Sequence, residues 1–314
     1  MEGIWILLVI GVLVLVYINQ KDQAKELDKL ILAADNGDEE AEEILSEKFD
    51  GQLWTEKLAE ARKRIYLPMA EKGDSFAQYQ MGVYYWVTKD EPEQAEKWFA
   101  ESANNGNKDA MWNLINGYDE YFNNSDDKPR GFGFEPEKRQ KWLLKAASAG
   151  DSKSMYTLGW ENYIEKNYNF ALEWFERALC SNDCHIRMET LMKMSQIHSN
   201  ILNEEFYDVN KSKALLIEAL RQKYNPDIDE STYDRDDFSD AVSDLGRLYE
   251  GEYYKSHDDK DLRNAMYCFL LAYCTGDDYG KDAMSRLPYI VTEAEKNLWM
   301  ADAHSQVLHL PYCE

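Results

Sequence analysis

Basic residues are in deficit. The 35 Lys and Arg face 59 Asp and Glu, for a formal net charge of −24. Repulsion of that size opposes approach to nucleic acid or an anionic lipid surface, and it steers a basic protein partner inward. Nucleic-acid binding is therefore excluded as a main role. Cysteine is sparse: Cys180, Cys184, Cys268, Cys274 and Cys313 are odd in number and not spaced as a disulfide framework, which fits a reducing compartment. Cys180, Cys184 and His185 miss the C-x-x-C-H spacing of haem attachment, and no second ligand pair completes a zinc site. Catalytic signatures are missing too. The histidines form no H-E-x-x-H, the G-x-G at Gly131 and Gly133 has no third glycine, and neither a G-x-S-x-G nor a Walker sequence occurs. The many carboxylates read as solvated helix faces rather than as a catalytic pair. No enzyme activity, cofactor, metal or small-molecule substrate is expected.

One long uncharged apolar run is present, GIWILLVIGVLVLVYIN, from Gly3 to Asn19. At about 1.5 Å rise per residue it is long enough to cross a slightly thinned hydrocarbon core. Glu2 before it and Asn19, Gln20 and Lys21 after it do not make a cleavable signal. The expectation is an uncleaved single-pass anchor over residues 1–20, with Trp5 and Tyr17 near the two interfaces. Lys21, Lys25 and Lys29 follow the span and none precedes it, so the positive-inside rule puts the body of the chain in the cytoplasm. The sequons at Asn123 and Asn210 would then carry no glycan.

The phrase GDSFAQYQMGVYYW at Gly73 returns as GDSKSMYTLGWENY at Gly150. Ala77, Met81, Gly82 and Tyr85 match Ser154, Leu158, Gly159 and Asn162, and the frame recurs at Ala110, Leu114 and Tyr118 and at Ala241, Leu245, Gly246 and Tyr249. Spacings of four and eight put these residues on one helical stripe, with the small residue allowing close approach of a neighbour. A second phrase follows each copy, with Trp98, Trp142 and Trp174 eight residues before Gly106, Gly150 and Asn182. A large ring is expected between the helices, and Gly or Asn in the left-handed conformation at the helix end. Weaker copies lie around Gly37 and Gly276, with Cys268 where the Trp would be. Between Asn182 and Ala241 the frame slips, although KSKALLIEAL reads as another second helix. The segments YFNNSDDKPRGFGFEPEKR and NPDIDESTYDRDDFSD read as loops leaving one side of the array. Thr292 and Glu295 form a capping box that opens a final helix.

The pattern A-x-x-x-L-G-x-x-Y followed by A-x-x-W-x-x-x-A-A-x-x-G resembles the Sel-one-like repeat, a relative of the tetratricopeptide repeat. The resemblance covers roughly residues 24 to 290 and is similar to bacterial members. It implies an all-α, right-handed α-solenoid of helix-turn-helix repeats over residues 21–290, sealed by a capping helix and tail at 291–314. With the anchor, it implies a place at the bacterial inner membrane and a role in binding proteins.

Residues at offsets two, six and nine lie about half a turn from the core stripe, at about 100° per residue. Those positions hold Tyr79, Val83 and Trp86, then Trp112, Asn116 and Asp119, then Tyr156, Trp160 and Tyr163. In tetratricopeptide-like solenoids the first helices line the concave surface. The expected partner site is therefore Tyr79, Trp86, Trp112, Asp119, Tyr156, Trp160 and Tyr163, rimmed by Glu120 and Glu161, and suited to an apolar and basic segment. Two roles fit: a membrane-tethered scaffold, or an immunity protein neutralising a basic secreted toxin, as some bacterial members of the family imply.

Overall fold

The computed structural model describes residues 25, 29–33, 41, 44, 56–120, 123, 131–221 and 235–305. The expected membrane anchor and the copy around Gly37 fall outside this set, apart from isolated positions. Among the described residues, all regular structure is helical and no helix is long and apolar enough to cross a membrane. The chain divides into two compact units, Met1–Ala149 and Gly150–Glu314. The first holds α1 (Glu56–Ala70), α2 (Ser75–Val83, continued by a π-helical turn Tyr84–Lys89), α3 (Pro92–Asn104), α4 (Lys108–Gly117) and α5 (Pro136–Ser148). The second holds α6 (Ser152–Ile164), α7 (Tyr168–Ala178), α8 (Cys184–Ser199), α9 (Val209–Leu220), α10 (Arg235–Ser256), α11 (Asp259–Thr275), α12 (Asp278–Arg286) and α13 (Glu293–Ser305). Within each unit successive helices pack as hairpins, and first helices also meet: α2 touches α4, and α8 touches both α6 and α10.

Two residues make each junction between hairpins. Gly73, Gly106, Gly150 and Gly276 have φ between +81° and +126°, as the repeat requires. At Gly106 the glycine N–H reaches Ala103 O and the Asn107 N–H reaches Ser102 O, so the last turn of α3 closes on itself. The next residue then caps the following helix: Asp74 accepts from Ala77 N at 2.7 Å, Asn107 from Ala110 N at 2.9 Å and Asp151 from Ser154 N at 2.8 Å. Such a cap contributes about 1 kcal/mol. Asn182 departs from the expectation, because its φ is not positive. There the Ser181 hydroxyl accepts from Asp183 N at 3.1 Å, which turns the chain without a left-handed residue.

Most of the core stripe is buried as expected: Ala77, Met81, Ala110, Leu114, Ser154, Leu158, Ala241 and Leu245 are closed to solvent, as are Tyr118 and Tyr249. Tyr85 and Asn162 are only half-buried, and in the π-helical turn it is Tyr84 that enters the core. The ring between the helices is the expected tryptophan only at Trp142, which is buried beside Leu143. At the other two positions it is the next residue, since Phe99 and Phe175 are fully buried while Trp98 and Trp174 are half-buried, and Phe269 follows Cys268 in the same way. The phenylalanines press against the glycines of the first helices. A Cβ on Gly159 would stand 2.5 Å from the Phe175 ring and one on Gly246 2.7 Å from Phe269, and Gly82 meets Phe99 in the same way. The tryptophans instead carry cations: Arg177 lies 4.1 Å over Trp174 and Lys145 4.7 Å over Trp142.

The slipped stretch is a complete hairpin, α8 and α9. Its helices are joined by Ser195 and Ser212, whose buried hydroxyls lie 2.7 Å apart. The first expected loop does not simply leave the array. Phe132 returns to the first unit, 5.3 Å from Trp86 and 5.7 Å from Tyr118, and its N–H donates to Gly117 O at 2.7 Å. Asn123 holds the returning chain, donating to Gly117 O and Asp119 O and accepting from Gly133 N. The second expected loop is helical from Arg235 onward. The capping box closes reciprocally, with Thr292 N donating to Glu295 at 2.9 Å and Glu295 N to the Thr292 hydroxyl at 3.3 Å. The Thr292 backbone bond, with the Tyr289 and Thr292 hydroxyls and the charge of Arg263, pulls the Glu295 carboxyl down to about 2.

In most helix interiors Gly→Ala gains up to about 1 kcal/mol. Here Gly159→Ala is expected to lose about 1–3 kcal/mol by overpacking, read as a lower urea midpoint; a raised midpoint would refute the contact. Phe175→Ala is expected to lose about 3–5 kcal/mol, and Trp174→Ala clearly less.

Candidate protein-binding face

The second unit presents three first helices, α6, α8 and α10, side by side. On α6, Trp160 and Tyr163 stack at 5.5 Å with planes 20° apart. Both are half-buried. From α8, Lys193 Nζ lies 4.6 Å over the Trp160 ring, and Gln196 Oε1 lies 3.5 Å from the Tyr163 hydroxyl. Between α8 and α10 opens a cleft of about 350 Å3 lined by Glu189, Lys193, Gln196, Asp240, Asp244 and Arg247, among others. Arg247 pairs with Asp244 at 2.7 Å and lies 4.7 Å over the Tyr279 ring of α12. One face thus combines stacked rings, two cations and several carboxylates.

Burial is the main reason the Asp244 carboxyl titrates high, with Asp277 adding like charge and Arg247 and Gln196 opposing. Asp240 is pushed up by burial, then by Asp244, Asp277 and Asp237. Burial works against the charged form of both acids, even with Arg247 paired to Asp244, and a cationic side chain placed in the cleft would favour that form. Tyr156 lies 5.9 Å from Phe175, and its hydroxyl titrates high through burial and the charge of Glu189. It leans on the core more than on the face.

The other expected site residues lie in the first unit and are differently placed. Trp86 is 7% exposed, packed against Phe99 at 5.6 Å and Phe132 at 5.3 Å. Tyr79 is half-buried, 6.0 Å from Phe99, and Trp112 is half-buried on α4. Asp119 pairs with Arg139 of α5 at 3.1 Å. The returning Phe132 covers the rings that a partner would have used. Of the seven residues named from the sequence, Trp160 and Tyr163 come together on a half-open face, with Tyr156 beside them.

Lys193, Gln196, Asp240 and Asp244 were missed. Arg247 stands at offset six from Ala241, so extending the same count to the fourth copy finds it. Lys193 and Gln196 sit on α8, where the frame is lost. His185 Nδ1 lies 2.9 Å from Asp237. Its neighbour Cys184 is one position away on the helix, a spacing that turns the two side chains about 100° apart. Among the described residues no group of three or more His, Cys, Asp or Glu is placed to hold a metal ion.

Comparison with family models and with curated proteins finds no match. Solved structures do match. A protective antigen present in uropathogenic Escherichia coli strains, which displays an SLR fold, superposes with a TM-score of 0.54 at 20% identity over 87% of this chain and 55% of that one. This chain therefore spans about half the length of that antigen. A Sel1 repeat protein from Oxalobacter formigenes aligns with a TM-score of 0.48 at 17% identity, covering 84% of this chain and 98% of that one. The first likeness shows the fold: the chain is an all-helical repeat protein built as Sel1-like repeat proteins are, and the resemblance read in its sequence holds at that level.

A carboxyl that titrates high in the folded chain binds its proton more tightly there than when unfolded, so it costs stability as pH rises through that window. At pH 7, Asp244→Asn is expected to leave the unfolding midpoint unchanged or raise it, and to flatten the pH dependence just above the ordinary carboxylate range. A loss beyond about 1 kcal/mol would mean that the Arg247 ion pair outweighs burial.

Proposed function

We propose that this chain is a protein-interaction scaffold that holds its partner on the α6, α8 and α10 face, and that the apolar segment from Gly3 to Asn19 tethers it to the bacterial inner membrane with the repeats on the cytoplasmic side. The observation that carries the binding reading is the stacked pair Trp160 and Tyr163 beside a cleft holding Asp240 and Asp244. Aromatic anchors supply contact area and the acids select for cations, so the face suits a segment bearing apolar and basic side chains. Net charge alone carries the toxin-neutralising alternative, and no feature of the face favours it over an adaptor.

A photo-crosslinking residue in place of Trp160 identifies the partner, with exposed Glu173 on α7 as the control position. Against that partner, Trp160→Ala is expected to weaken binding by about 2 kcal/mol, or about 30-fold, with the melting temperature unchanged. Equal crosslinking from both positions, or normal binding with early melting, would refute the assignment. Trp86→Ala should show the reverse, a lower melting temperature and intact binding.

The tether has its own check. Removing residues 1–20 should release the chain from the membrane fraction. The exposed Cys180 should react with an impermeant maleimide only after cells are permeabilised; labelling of intact cells would reverse the topology.

A further inference from the structure

A second surface lies at the turn edge of the same unit, where the α6–α7 turn faces the α8–α9 loop. A groove of about 490 Å3 opens there, with Tyr168 and Phe206 packed edge to face at 5.8 Å in its wall. Its apolar side chains are not covered: Leu202 is 91% exposed and Phe170 60%, with Ile201 and Ile164 exposed beside them. Scattered surface leucines need no explanation, but this many large apolar residues on two adjoining turns make a patch of the kind that marks an interaction site.

The groove is also rich in amides. Asn167 donates to Glu165 at 3.0 Å and Asn200 accepts from Leu202 N at 3.0 Å, so these two shape the turns. The side-chain amides of Asn169 and Asn203, both in the lining, make no hydrogen bond among the described residues. A primary amide both donates and accepts, as a peptide backbone does, so such groups pair with an extended chain. Glu205 and Lys166 are the charged residues of the lining, and the exposed Glu165 and Glu204 stand next to them in the chain.

We propose that this groove docks an extended segment of a partner protein that alternates apolar and basic side chains, the apolar ones seated against Phe170 and Leu202 and the basic ones facing Glu165, Glu204 and Glu205. A second copy of this chain is disfavoured as occupant by its net charge of −24. Rings spaced 5.5, 6.0 and 5.8 Å run from Trp160 on the α6, α8 and α10 face through Tyr163 and Tyr168 to Phe206 in the groove, so the two surfaces rest on one row of packed rings. The inference rests on the reading of the chain as a protein-binding scaffold.

The test is calorimetric titration of the full chain with an eight-residue peptide of alternating leucine and lysine and with its leucine–glutamate counterpart. The proposal expects one-site binding of the lysine peptide, at least about tenfold weaker binding of the glutamate peptide, and about tenfold loss in the double variant Leu202→Ser, Phe170→Ser, whose residues are exposed and whose circular dichroism should not change. Equal affinity for both peptides, undiminished binding by the double variant, or no saturable binding of the lysine peptide would overturn it. So would displacement of the lysine peptide by phosphatidylcholine vesicles, which would make the surface a lipid contact. Failure of the scaffold reading is separately visible: Trp160→Ala would then leave the affinity for the crosslinked partner intact whatever the peptides do.

Discussion

A phenylalanine ring lying on a glycine is the contact from which the repeat is built. Gly82, Gly159 and Gly246 let the second helix of each hairpin come close enough that Phe99, Phe175 and Phe269 fill the gap, and any side chain at the glycine would occupy the ring's place. Close approach sets the distance between paired helices. The left-handed glycines and their Asp or Asn caps then set where one hairpin ends and the next begins. Contact and junction together align first helices with first helices, and that alignment puts Trp160, Lys193 and Asp244 on one face although they belong to three repeats.

The two units use one scaffold differently. In the first, the inserted chain returns and lays Phe132 over Trp86 and Tyr118, so apolar surface that could have met a partner is satisfied internally. In the second, the corresponding rings stay half-open beside acids raised by burial. Burial of Asp244 is a cost in the free protein that its pairing with Arg247 does not cancel, and a further cationic ligand would offset it. That asymmetry is why the binding reading rests on the second unit alone.

Most of the architecture was legible in the sequence, because helix period, the glycine beside the stripe and the Gly-Asp junctions are local rules that each repeat states again. The choice between Trp174 and Phe175 was not legible. Both are large rings one residue apart, and a one-residue rotation of about 100° decides which is interior. Of the α8–α9 hairpin the sequence showed α9, as KSKALLIEAL, but not α8, because Leu216 stands where the ring would be and a buried hydrogen bond between Ser195 and Ser212 joins the two helices, which leaves no periodic signature. The site was legible in part: counting around the helix found Trp160 and Tyr163, but it could not foresee that a loop residue, Phe132, would cover Trp86. Long-range packing of an insertion carries no periodic signal.

The central claim, that ring and glycine form a single steric unit, is tested most directly by a double-mutant cycle on Gly159→Ala and Phe175→Leu in urea unfolding. If the smaller side chain makes room for the added methyl, the double variant is more stable than the sum of the single losses allows, by about 0.5–3 kcal/mol. Additive losses would contradict the account, and the spacing of the helices would have to be set elsewhere.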